Sequence, residues 1–149
     1  MIHEKYYELK AEQDRLTGRN NAVRSDFYNG VYDRYRYPVL TRDHVPIHWR
    51  YDLSKADNPC FMERLGVNAT FNAGALYHDG AYYLMVRMEG ADRKSIFALA
   101  RSESPVDGFA FVGKPLVWED ICPEETDIYD MRLTAHEDGW IYGVYCSER

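Results

Sequence analysis

The side chains best suited to chemistry stand two residues apart in one strand-like run. Asp130 and Arg132 both lie in DIYDMRLTAHEDGWIYGVY, Asp127 to Tyr145. On a β-strand, residues two apart share a face, which predicts an acid beside a guanidinium. A carboxyl so placed can act as a general acid. The arginine offers a planar fork of donors suited to hydroxyl or phosphate oxygens. The structural alternative is a strand-end or turn-capping aspartate paired with Arg132. Arg87 closes an otherwise apolar run, where a charge is costly unless it is paired or faces a polar channel. The plain reading is an ordinary strand-end arginine. Asn72 carries both a donor and an acceptor, which suits hydroxyl recognition, or else it caps a turn.

The elements that must position these residues repeat. In the later stretch, Glu137-Asp138-Gly139 separates two strand-like runs and reads as a β-hairpin turn. Phe71 to Arg87 has the same grammar around Asp79-Gly80. Phe71 falls on Tyr129, Asn72 on Asp130 and His78 on His136. The offset is 58 residues from Asn72 to Asp130 and 59 from Gly80 to Gly139. A repeat of this length made of short strands points to propeller blades, slightly longer than blades of roughly 40–50 residues.

At 149 residues the chain suits one domain by length. Its 28% charged and 46% hydrophobic residues are a globular composition. A net charge of −6 with no basic block argues against nucleic acid. No apolar run approaches the ~20 residues of a membrane span, and the N-terminus is too polar for a signal peptide. Cys60, Cys122 and Cys146 are widely spaced and form no CxxC pair, so they read as free thiols in a reducing cytoplasm.

Along the chain, residues 3–24 predict a helix through Tyr6, Leu9, Gln13 and Leu16, with Gly18 and Asn20-Asn21 as a stop signal. It either packs on the domain edge or serves as an oligomer contact. Residues 1–28 are assigned to a helical extension and 29–149 to the β-structure. Tyr35 to Leu40 reads as extended, and Thr41 to Trp49 as a polar, aromatic loop. Ala69 to Val117 supplies four strands, Ser95 to Arg101 among them as one covered on both faces. Trp118 to Asp127 reads as a solvated acidic loop with Glu119, Asp120, Glu124, Glu125 and Asp127. The second blade then reaches Arg149 without a closing strand. Because a propeller needs at least four blades to close, the chain is expected to be the N-terminal portion of a longer protein.

RYPVLTRDHVPIHWRYDL (Arg36 to Leu53), NPCFMERLGVNATFNAGA (Asn58 to Ala75), LMVRMEG (Leu84 to Gly90) and DIYDMRLT (Asp127 to Thr134) resemble the β-mannoside phosphorylases of glycoside hydrolase family 130, in the branch acting on mannosyl-glucose. These motifs run through most of residues 30–149. The resemblance implies an all-β fold, a five-bladed β-propeller of which about two blades and a preceding helix are present, with a sugar site on the central axis. Where the wider family has Glu-Asp-Pro-Arg, this chain has Tyr129-Asp130-Met131-Arg132, as that branch does. The implied reaction is inverting phosphorolysis of β-1,4-mannosyl-glucose to α-mannose 1-phosphate and glucose. Asp130 would be the general acid, relaying its proton through the mannose 3-hydroxyl.

One carboxylate suffices for such a reaction because phosphate is itself the nucleophile, whereas an inverting hydrolase needs a second to activate water. Asn72, Arg87 and Arg132 would line the mannose and phosphate site. Trp49 could stack on a pyranose face, and Arg50 or Asp43 could bind hydroxyls. His44 and His48 read as solvated loop histidines. The resemblance brings no cofactor, only inorganic phosphate as co-substrate, and no metal. The expected partners are the disaccharide and phosphate, with no nucleic acid or membrane. A cytoplasmic homo-oligomer is expected at full length, with little turnover by residues 1–149 alone. An inverting β-mannosidase-type hydrolase and a non-catalytic carbohydrate-binding or truncated propeller remnant remain the alternatives.

Overall fold

The computed structural model describes residues 1–116, 125 and 127–149. Apart from Glu125 and Asp127, the predicted acidic loop, with Trp118 and Cys122, lies outside the described residues. Helix α1 spans Lys5–Thr17 and buries none of its residues. It is shorter than residues 3–24. Gly18 closes it by donating its N–H to the Asp14 carbonyl, and the chain turns extended as β1 (Val23–Tyr28), antiparallel to β2 (Asp33–Tyr35). Asn21 enforces the switch. Its buried side chain donates to the carbonyls of Tyr37 and Val106, both at 2.9 Å, and accepts the Tyr37 N–H at 3.1 Å. Helical pairing cannot satisfy those long-range partners.

Thr41 to Trp49, read as a polar, aromatic loop, is partly helical and partly buried. It holds a 3-10 turn, Arg42–His44, and one helical turn, α2 (Ile47–Arg50). Val45, Ile47 and Trp49 are buried. Gln13 of α1 donates to the Val45 carbonyl at 2.9 Å, which docks the helix on this segment.

Four strands follow, β3 (Val67–His78), β4 (Ala81–Gly90), β5 (Ser95–Ser102) and β6 (Ala110–Phe111), in an antiparallel meander of that order. This is the four-strand unit predicted from Ala69 to Val117, with Leu116 N–H still bonded to the Phe97 carbonyl at 2.8 Å. The first hairpin turns on Asp79 (φ 46°) and Gly80 (φ 77°), the left-handed pair a two-residue turn requires. A third sheet pairs β7 (Asp127–Ala135) with β8 (Ile141–Glu148).

Side-chain alternation on β5 serves two cores. Ala98 and Ala100 join Val45, Trp49, Val67, Val86, Met88 and Phe109 beneath the 39–49 segment. Phe97 points the other way and packs with Ile128 and Met131 of β7. The expected coverage on both faces is what the strand has. Each large side chain so buried contributes roughly 1.5–3 kcal/mol, so both faces help hold the central sheet. Strands dominate the described residues, in antiparallel sheets.

Candidate functional site

Strands β3 and β7 belong to different sheets yet run against one another. They come close at Gly74, where a Cβ would stand 2.8 Å from the Met131 carbonyl oxygen and 3.3 Å from the Arg132 Cα. Just beyond this crossing both strands bulge. Phe71 and Asn72 together oppose Arg87 on β4, and Asp130 and Met131 oppose Tyr145 on β8. The two bulges therefore fall within one residue of the same repeat position. A bulge re-aims side chains, and such features concentrate next to active sites.

The sequence-predicted residues meet here. Asn72 Nδ2 donates to Asp130 Oδ1 at 2.6 Å, across 58 residues. Asp130 is half-buried and has φ 58°, in the left-handed region that aspartate tolerates better than most residues. Arg87 lies beside them. Its guanidinium carbon is 5.1 Å from the Phe71 ring centroid and 5.3 Å from that of Tyr129, within cation–π range of both. Its Nε donates to Ser95 Oγ at 2.8 Å, and its Nη2 is 3.8 Å from Asp127 Oδ2. Tyr129 has its hydroxyl pKa raised, first by desolvation and then by the nearby Glu148 charge.

The other candidates sit differently. The same-face argument for Asp130 and Arg132 fails because the bulge falls between them and breaks the two-residue alternation. Arg132 is exposed and donates from Nη1 to the Met131 carbonyl at 2.9 Å. Arg50 is buried and bonds from Nε to Glu63 Oε1 at 2.6 Å, while Arg42 Nη2 takes Oε2 of the same carboxylate at 2.9 Å. Burial pushes the Glu63 carboxyl up, but the Arg50 hydrogen bond and the two arginine charges outweigh it and hold it below its ordinary value. Asp43 is exposed, and its carbonyl accepts from Gln13 at 3.2 Å.

Trp49 cannot offer a face to a sugar ring, because it is a core residue set edge-on to Phe111. His44 is likewise buried, not solvated, and its Nδ1 accepts the Thr41 N–H at 3.0 Å. Desolvation, and then the Arg19 charge, push its pKa down. His48 is exposed, as read from the sequence.

Asp127 is the residue that sequence reasoning missed. Placed in the solvated acidic run, it instead accepts the N–H groups of Ser95 at 2.8 Å and Ile128 at 2.9 Å through Oδ1. It thereby joins the two sheets beside Arg87. The available signal was its place at the first position of a repeat strand. Between β4–β5 and β7–β8 lies a cavity of about 600 Å3 whose lining includes Met85, Leu99, Met131 and Leu133 but not Asn72, Arg87 or Asp130. Its wall is mostly apolar, with His78, Tyr83 and Tyr145 as the polar side chains among its lining. Among the described residues no group of His, Cys, Asp or Glu could hold a metal ion.

Fold and site together define a chain of successive antiparallel sheets that gathers a carboxyl, an amide and a guanidinium where two strands of different sheets meet. That donor and acceptor set suits a hydroxyl-rich or anionic ligand. No family model matches the chain. It is 53% identical over 150 aligned positions to the 4-O-β-D-mannosyl-D-glucose phosphorylase of Bacteroides fragilis, a match covering 100% of this chain and 38% of that relative. The chain thus spans well under half the length of the curated relative it matches.

Proposed function

We propose that the chain carries part of the active site of an inverting β-mannoside phosphorylase of glycoside hydrolase family 130, acting on β-1,4-mannosyl-glucose and phosphate. The observation that carries this reading is the Asn72–Asp130 contact at 2.6 Å, between repeat positions of a chain 53% identical throughout to a phosphorylase of that substrate. In the proposed reaction a phosphate oxygen bonds to the mannosyl C1 from the face opposite the glycosidic oxygen. The C1–O bond to glucose breaks, and the leaving oxygen takes the Asp130 proton by way of the mannose 3-hydroxyl. The products are α-mannose 1-phosphate and glucose.

Asn72 occupies Oδ1, which leaves Oδ2 to carry the proton. Arg87 and Arg132 supply donors to the mannose and phosphate oxygens, the first from a held position and the second from a surface one. Arg50 and Asp43 stand as outer contributors, Arg50 mainly by holding its loop against Glu63. The reaction needs inorganic phosphate and no further cofactor, and the same reading makes the enzyme a cytoplasmic homo-oligomer with about two blades of a five-bladed propeller in these residues.

The test is Asp130→Asn in the full-length protein, assayed for phosphate-dependent release of mannose 1-phosphate. General acid catalysis contributes roughly 10²- to 10⁴-fold, and the variant should lose that much in kcat. Retention of wild-type kcat would remove Asp130 from the acid role.

A further inference from the structure

We propose that Ser95 and Asp127 are positioning residues for Arg87, setting the angle at which its guanidinium meets substrate. This rests on the phosphorylase reading and assigns a role to two residues outside the contact set.

A guanidinium has five N–H donors, and bidentate recognition of an oxyanion or of paired hydroxyls requires its plane to be held. Three constraints act on the Arg87 plane. Ser95 Oγ accepts from Nε at 2.8 Å and fixes one edge of the fork. Ser95 Oγ in turn donates to Asp127 Oδ2 at 3.4 Å, which fixes the hydroxyl rotor so that its lone pair faces Arg87. The Asp127 carboxylate, 3.8 Å from Nη2, adds the opposite charge. The rings of Phe71 and Tyr129 fix the tilt. Asp127 is itself held in place, since its Oδ1 accepts two backbone N–H groups, one from each sheet. The anchors come from β3, β5 and β7, so the arginine reports the relative placement of both sheets.

The division of labour between the two Asp127 oxygens makes the proposal testable. Asp127→Asn keeps an Oδ1 acceptor for both backbone N–H groups but turns a donor toward Ser95 Oγ and Arg87. Ser95→Ala removes the acceptor of Nε while keeping the Ser95 backbone bond, and Ser95→Thr restores the hydroxyl. Displacing a binding group by about 1 Å can cost 10²-fold, so kcat/KM for phosphorolysis by the full-length protein should fall 10- to 100-fold in Asp127→Asn and Ser95→Ala. Ser95→Thr should stay within about threefold of wild type.

The decisive arm is a double-mutant cycle with Arg87→Lys, whose ammonium has no plane to hold. In that background Asp127→Asn should cost less than twofold, whereas a merely structural role would cost the same in both backgrounds. An active wild type with an unaffected or fully additive Asp127→Asn variant overturns the positioning role and leaves the phosphorylase reading standing. A full-length wild type that releases no mannose 1-phosphate overturns both.

Discussion

Replacing Gly74 by alanine tests whether the contact between β3 and β7 builds the site. Gly74 has no unusual backbone dihedral, so any effect of a methyl group there is steric. The added Cβ would stand 2.8 Å from the Met131 carbonyl oxygen, 3.1 Å from its carbon and 3.3 Å from the Arg132 Cα. Carbon contacts relax at about 3.5–4.0 Å, so the strands must part by roughly 0.5 Å or more. All three obstacles are backbone atoms of a bulged strand anchored by buried Met131 and Ile128, which cannot rotate away as a side chain would. Overpacking of this kind costs about 1–3 kcal/mol.

At about 2–4 °C per kcal/mol for roughly 150–250 residues, and less for a longer protein, Tm should drop by up to about 12 °C. Two residues from Gly74, the Asn72–Asp130 contact would lengthen from 2.6 Å to roughly 3.1 Å and weaken, so phosphorolysis should fall a few-fold. Gly143→Ala is the control. Its Cβ would meet Met131 Sδ at 2.8 Å, the flexible part of an adaptable side chain. Thermal unfolding followed by circular dichroism, with initial rates on the same preparations, should rank Gly74→Ala below Gly143→Ala in both. Gly74→Ala within 1 °C of wild type, or Gly143→Ala as the worse variant, would refute the account of the crossing.

Glu63→Gln should lower the denaturant midpoint by an amount equivalent to about 3–5 kcal/mol, since it strands the buried Arg50 charge; a loss under 1 kcal/mol would show that Arg50 finds another partner. His44 binds its proton less readily folded than unfolded, so the unfolded state gains protons first as pH falls. Its contribution is complete above the unfolded value of about 6.5 and is lost as pH drops from there toward the lowered folded value. Urea titrations at pH 7.5 and 5.5 should show that loss, and His44→Gln should shrink it.

The hairpins were legible because their turns are chemically explicit. Asp79-Gly80 and Asp138-Gly139 mark chain reversals that few other residue pairs accept, and the flanking runs alternate. The repeat was legible for the same reason and set Asn72 and Asp130 at equivalent positions, without showing that they touch. What the sequence concealed depends on tertiary partners. Nothing local marks Trp49 as core, because its neighbours His48 and Arg50 are polar and the surface it fills comes from Val86, Ala98 and Phe111, tens of residues away. Asp127 looked solvated among acidic neighbours because its partners, Ser95 and Arg87, lie 32 and 40 positions back. The shared face of Asp130 and Arg132 assumed regular pleating, and one bulge cancels that assumption.

The backbone of Asp130 adds a constraint that the carboxyl's chemistry alone would not reveal. At φ 58° an L-residue strains its Cβ against the following carbonyl, at a cost of about 1–2 kcal/mol for most side chains. Aspartate and asparagine relieve part of this through local hydrogen bonding, and β-branched residues relieve none. Stability and chemistry at this position therefore separate. Asp130→Asn keeps the backbone preference and an Oδ1 that accepts from Asn72, so its Tm should stay within about 2 °C of wild type while its turnover collapses. Asp130→Val loses the acceptor and adds branching where φ is positive, and should cost about 1–3 kcal/mol besides. Paired Tm and rate measurements on the two variants settle it. Equal stability would mean that the strand relaxes to ordinary pleating once the carboxyl is gone, and the bulge would then be a consequence of the Asn72 contact and not its scaffold.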